Sequence, residues 1–192
     1  MRIGIYGGSF NPIHKGHTNL AQAMVAQGVV DELWLLVSPL NPLKQGVSMD
    51  IADYEHRLNM AFLAVEGFDG VKASDFERHL PIPSYTINTL HELSNAYPQH
   101  QFSLVIGADN WERFPHWYHA DEIIYTYNIH IYRRPNTIID ETSLPATVQM
   151  VDTPLYDISS TQIREAIKKG KDVIDWIDDK VYNYIKTNGL YT

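Results

Sequence analysis

What most constrains this chain is an alternation of short apolar runs with segments of helical period. Arg2 to Tyr6, Glu32 to Ser38 and Phe102 to Ile106 are apolar runs too short for helices and read as buried strands. Val71 to Phe76, Asn128 to Tyr132 and Val148 to Val151 are further strands, the first of them weaker. Between them, Gly16 to Gln27 places Leu20, Ala21, Met24 and Val25 on one face, and Asp53 to Val65 turns Leu58, Ala61, Phe62 and Val65 inward. Ser84 to Tyr97, opened by Pro81 and Pro83, Ser160 to Lys169 and Asp175 to Thr187 are the other helices. Pro39 to Met49, with two prolines and a glycine, reads as a loop. Strands alternating with helices predict an α/β protein: a doubly wound, mostly parallel sheet with helices on both faces. The 192 residues suit a single domain spanning 1–192. In such a sheet ligands bind beyond the carboxyl ends of the strands. The polar motifs follow Tyr6, Val37, Ile106, Tyr132 and Val151, at those ends.

Composition closes off several classes. With no cysteine, thiolate catalysis and cysteine-held zinc are excluded. Fifteen basic against 23 acidic residues give a formal charge of −8, a poor basis for binding a nucleic acid polymer. No leader-like segment follows Met1 and no apolar run is long enough to span a bilayer, so the expected location is cytoplasmic and away from membranes.

The first chemical motif is Gly7-Gly8-Ser9-Phe10-Asn11-Pro12-Ile13-His14-Lys15-Gly16-His17, between a strand and a helix. Adjacent glycines let backbone turn sharply and approach a ligand. His14 and His17, three apart at a helix start, can both face its N-terminus, where free N–H groups and the macrodipole favour an anion. Alternatively the glycines form a plain tight turn and the histidines a surface pair. Zinc lacks a third ligand at structural spacing, and the glycine pattern of dinucleotide-binding folds is not matched, which disfavours a dehydrogenase. The second motif is Ile158-Ser159-Ser160-Thr161-Gln162-Ile163-Arg164. Ser159 and Gln162 have capping-box spacing, while Ile163, Ala166 and Ile167 form a core stripe. This helix start also gathers three hydroxyls and Arg164.

The first segment closely resembles the N-terminal signature of the nucleotidyltransferase α/β-phosphodiesterase superfamily, Gly-Gly-Ser/Thr-Phe-Asp-Pro-x-His-x-Gly-His, with Asn11 where Asp is commonest. The second resembles the superfamily's Ile-Ser-Ser-Thr-x-Ile-Arg, in the required order. Ser84-Tyr85-Thr86-Ile87-Asn88-Thr89-Leu90 and Ile106-Gly107-Ala108-Asp109-Asn110-Trp111, with Trp117-Tyr118, resemble the bacterial nicotinate mononucleotide adenylyltransferases in particular.

That resemblance implies a Rossmann-like nucleotidyltransferase fold and transfer of an adenylyl group from ATP to nicotinate mononucleotide, with Mg²⁺ arriving on ATP and no metal site in the protein. It implies His14, His17 and Arg164 as catalytic residues. The implied ATP contacts are Gly7, Gly8, Ser9, Phe10, Ile106, Gly107, Asp109 (on the ribose), Arg134, Ser159, Ser160 and Thr161. Lys44 is either a further phosphate clamp or a solvated loop lysine. Ser84, Tyr85, Thr86 and Trp117 would hold the mononucleotide, Trp117 stacking on its ring. The N–H groups of Tyr85 and Thr86, at the start of a helix, would favour an acid over an amide. Trp111 reads as a core aromatic. The rivals are the same chemistry on nicotinamide mononucleotide or phosphopantetheine, and an ATP-binding sensor without turnover. An oligomer is compatible with all of these.

Overall fold

The computed structural model describes residues 1–39 and 51–192. Its elements run β1 (Arg2–Gly8), α1 (Lys15–Ala26), β2 (Glu32–Val37), α2 (Tyr54–Val65), β3 (Val71–Ser74), α3 (Thr86–Ala96), β4 (Gln101–Gly107), α4 (Ala108–Arg113), α5 (Ala120–Thr126), β5 (Asn128–Tyr132), β6 (Val148–Val151), α6 (Ser160–Lys168) and α7 (Asp179–Thr187). The six strands form one sheet in the order β3-β2-β1-β4-β5-β6, every neighbouring pair parallel. The expected α/β class, doubly wound sheet and helices on both faces are all present.

Strand alternation builds two cores. Tyr6, Leu33, Leu35, Val105 and Tyr132 point to the face covered by α1, α2, α6 and α7. Ile3, Ile5, Leu36, Leu104, Ile129 and Ile131 point to the face covered by α3, α4 and α5. Because both faces are buried, the strands read as nearly continuous apolar runs. The strand order reverses between β1 and β4, and diverging chains there open a crevice at the carboxyl edge.

Several boundaries differ from the sequence reading. β1 continues through both glycines, pairing Gly7 with Leu36 and Gly8 with Val37, so the sharp turn falls at Phe10, φ 45°. The third strand stops at Ser74, and Phe76–His79 forms a 3-10 turn. α3 starts at Thr86 and α7 at Asp179, each later than expected. Phe62 is 47% exposed, because α2 instead presents Met60, Ala61 and Ala64 to the sheet. α4 and α5 were not anticipated: with 6 and 7 residues they are too short to establish a helical period.

Candidate active site

At the end of β1 the chain turns through Ser9 and Phe10 into α1. A Cβ at Gly8 would meet the Phe10 ring at 3.0 Å, closer than ordinary contact, so glycine leaves the ring room there. The Phe10 ring stands edge-on to Tyr6 at 5.7 Å and to His17 at 5.0 Å. Asn11 Oδ1 accepts from the Tyr191 hydroxyl at 2.7 Å and the Ala52 N–H at 3.0 Å. The turn is thus tied to both the end of the chain and the approach to α2.

His14 is the N-cap of α1 and His17 its third residue, their ring centroids 3.7 Å apart. The backbone N–H of His14 donates to His17 Nδ1 at 3.2 Å. In a neutral His17 this places the ring proton on Nε2, which is then a hydrogen-bond donor. His14 is buried, and burial together with the nearby Arg134 charge lowers its pKa to about 3. It is therefore neutral at physiological pH, and among the described residues its Nδ1 completes no hydrogen bond.

The second motif packs directly against the first. Arg164 Nη1 donates to the Asn11 carbonyl at 2.8 Å, and the Ser160 hydroxyl to the Pro12 carbonyl at 2.9 Å. Ser159 and Gln162 make the expected capping box, and Thr161 Oγ1 accepts from Arg164 Nη2 at 3.3 Å. All three hydroxyls thus have protein partners, while the N–H groups of Ser160 and Thr161 at the start of α6 lack intrahelical ones.

Tyr6, His14, His17, Tyr132, Arg134 and Tyr156 line a narrow cleft of about 20 Å³. The Tyr6 and Tyr132 hydroxyls lie 3.0 Å apart beneath it. Arg134 Nε lies 3.4 Å from Asp109 Oδ1, while Arg133 turns outward to Glu141 at 2.7 Å. Gly107 caps α4, and a Cβ there would meet Tyr132 and Arg134 at 3.1 Å. Pro154 and Tyr156 line the same cleft from the segment after β6.

Across Tyr6 lies a larger cavity of about 170 Å³, walled by Ser84, Tyr85, Thr86, Thr89, Trp117 and Tyr118. Gly7 and Ile106 also border this cavity. Among the described residues, the buried Ser84 hydroxyl and Trp117 indole N–H complete no hydrogen bond. Tyr85 N–H donates to the Pro83 carbonyl at 2.9 Å, so it is not available as expected. The N–H groups of Thr86 and Ile87 open α3 and lack intrahelical partners. Trp111 stacks on Phe114 at 5.1 Å away from the cavity, consistent with a core role. Lys44 lies outside the described residues.

Sequence reading missed Glu77, a buried carboxyl on the cavity floor, and Arg57, buried behind the first turn. Arg57 donates to the carbonyls of Ser9, Ser38 and Ala52 at 2.8, 2.9 and 3.0 Å. Its position among the inward residues of the predicted α2 was the available signal. Among the described residues, no three His, Asp or Glu side chains are grouped to hold a metal ion, and no helix is long and apolar enough to cross a membrane.

A parallel sheet with a reversal point, paired histidines at a helix start and two adjoining cavities define a nucleotide-handling α/β protein. Comparison with known proteins agrees. The cytidylyltransferase-like family model matches residues 5–166. The chain is 45% identical to a probable nicotinate-nucleotide adenylyltransferase of Bacteroides thetaiotaomicron, over 97% of this chain and 91% of that one. It is 36% identical to the nicotinate-nucleotide adenylyltransferase of Bacillus subtilis, over 99% and 98% of the two chains. Its fold matches the Plasmodium falciparum nicotinic acid mononucleotide adenylyltransferase complexed with NaAD, with TM-score 0.83, 22% identity and coverage of 99% and 97%. The chain belongs to the cytidylyltransferase-like family and, within it, to the nicotinate-nucleotide adenylyltransferases.

Proposed function

We propose that this protein transfers the adenylyl group of MgATP to nicotinate mononucleotide, giving nicotinate adenine dinucleotide and pyrophosphate in a step of NAD biosynthesis. The observation that carries this reading is the shared wall: Tyr6 lines both the histidine cleft and the larger cavity. Two substrates occupying them would meet above the end of β1.

A phosphate oxygen of the mononucleotide attacks the α-phosphorus of ATP, and the bond from that phosphorus to the bridging oxygen breaks, releasing pyrophosphate. The attacking phosphate is already a nucleophile, so the protein supplies position and charge stabilisation. His17 Nε2–H donates to the α-phosphate as its charge develops, and His14 and the α1 N-terminus hold the neighbouring phosphate oxygens. Arg164 and the α6 N-terminus receive the pyrophosphate end, and Asp109 the ribose hydroxyls. Mg²⁺ travels with ATP and offsets part of the triphosphate charge. The proposed reaction is a cytoplasmic one.

The acceptor sits in the 170 Å³ cavity with its ring on Trp117 and its carboxylate towards the open end of α3. A carboxylate accepts from the Thr86 and Ile87 N–H groups and from Ser84, and the helix dipole favours it. A carboxamide would set its own donors against them, at about 1–3 kcal/mol per unpaired group. The test is pyrophosphate release from MgATP with nicotinate or nicotinamide mononucleotide. The acid form should be preferred by roughly tenfold or more. Equal catalytic efficiency on both would overturn the acceptor assignment, and release with neither would overturn the reaction.

A further inference from the structure

Glu77 sits on the floor of the acceptor cavity, 5% exposed, in the 3-10 turn after β3. Its two carboxyl oxygens have separate duties. Oε2 accepts from the Ser38 hydroxyl at 2.6 Å, just past the end of β2, and Oε1 from the Thr89 hydroxyl at 3.0 Å, in the first turn of α3. The Ser84 hydroxyl lies nearby without completing a hydrogen bond of ordinary geometry. Among the described residues no cation pairs with it: Arg78 is paired with Glu55, and the Arg57 guanidinium with backbone carbonyls. Burying a carboxyl without a cation is costly, which argues for a role that an apolar residue could not fill.

We propose that Glu77 is a positioning residue for acceptor recognition, a strut from Ser38 to Thr89 that fixes the N-terminal turn of α3 against the end of β2. This rests on the function proposed above. The β2 end of the strut is anchored independently of Glu77. Ser38 N–H donates to the Gly8 carbonyl at 2.9 Å, and one Arg57 nitrogen joins the Ser38 and Ser9 carbonyls. The turn that meets ATP therefore keeps its ties to Arg57 and the backbone when Glu77 is changed, whereas the helix end that meets the acceptor loses its bond to residue 77. Both hydroxyls donate to the carboxyl, one to each oxygen; with a carboxamide, one of them would face an –NH₂ group and have to turn its O–H away from residue 77. Burial raises the Glu77 pKa, and the surrounding hydroxyls draw it partly back.

The test is steady-state kinetics on the intact chain carrying Glu77→Gln, with thermal melting alongside. The strut predicts a KM for nicotinate mononucleotide raised about tenfold, a KM for MgATP within about twofold of wild type, and a narrower preference for acid over amide. An unchanged acceptor KM, or equal increases for both substrates, would overturn it; the second result would mark a structural role only. If Glu77→Gln does not fold, Thr89→Val removes the α3 end of the strut. It should show the same split at roughly threefold, and an unchanged acceptor KM in that variant would be equally fatal. A wild-type enzyme that releases no pyrophosphate with nicotinate mononucleotide tells against the reaction itself, a result separate from a silent substitution in an active enzyme.

Discussion

Arg164 and Asn11 belong to opposite ends of the chain, yet the guanidinium Nη1 of one donates to the backbone carbonyl of the other at 2.8 Å. The same side chain reaches Thr161 in its own helix. Arg164 thus ties the turn after β1 to the start of α6.

Arg164→Ala is expected to raise the KM for MgATP more than that for the mononucleotide, since only ATP presents its distal phosphates there. It should also lower stability by about 1–3 kcal/mol, because the buried Asn11 carbonyl loses its donor. Kinetics and urea denaturation of one preparation test both parts. A normal ATP KM with a weakened acceptor would show that the C-terminal motif serves the other substrate.

His17→Ala should reduce turnover roughly 100-fold or more, as expected for loss of a donor aimed at developing charge. The fold should survive at a cost of about 1 kcal/mol, from losing the ring nitrogen that accepts the His14 N–H. Turnover within a few-fold of wild type, in a protein with unaltered circular dichroism, would remove His17 from the chemistry.

Trp117→Ala should raise the KM for nicotinate and nicotinamide mononucleotides alike while largely preserving their ratio, because both rings offer the same aromatic face. Glu77→Gln is expected to shift that ratio. If Trp117→Ala changed the ratio as strongly as Glu77→Gln, the indole would be reading the carboxylate as well as the ring.

The stability of the protein should fall as pH drops below about 6.5. Burial lowers the pKa of His14 to about 3 and of His130 to about 4, with the Arg134 and Arg2 charges adding to the respective shifts. Between those values and 6.5 the unfolded chain takes up protons that the folded chain refuses. The stability from these two groups is present above 6.5 and lost as pH falls, each at up to about 1.4 kcal/mol per pH unit. The loss should be complete near pH 4 for His130 and near pH 3 for His14. Urea midpoints from pH 7.5 to 4.5 should show it, with His130→Gln flattening part of the slope. An identical slope in that variant would rule out His130.

The sequence by itself determined the six strands and five of the described helices, and the expectation of a site at the strand ends, since these depend on periodicity and on contiguous motifs. His14, His17 and Trp117 were legible for the same reason: each sits within a local pattern. Tertiary structure alone decided the rest. Glu77 bonds to Ser38 and Thr89, and Arg57 to Ser9 and Ser38, across gaps in the chain that no short-range pattern records. The same holds for Tyr6 and Tyr132, strand-end residues in the sequence whose hydroxyls only the fold brings together. The Tyr85 N–H looked free because a helix start leaves donors open, and only the path of the chain through Pro83 gave it an acceptor. Hydrophobic periodicity is a property of neighbours along the chain, whereas a buried hydrogen bond is a property of neighbours in space.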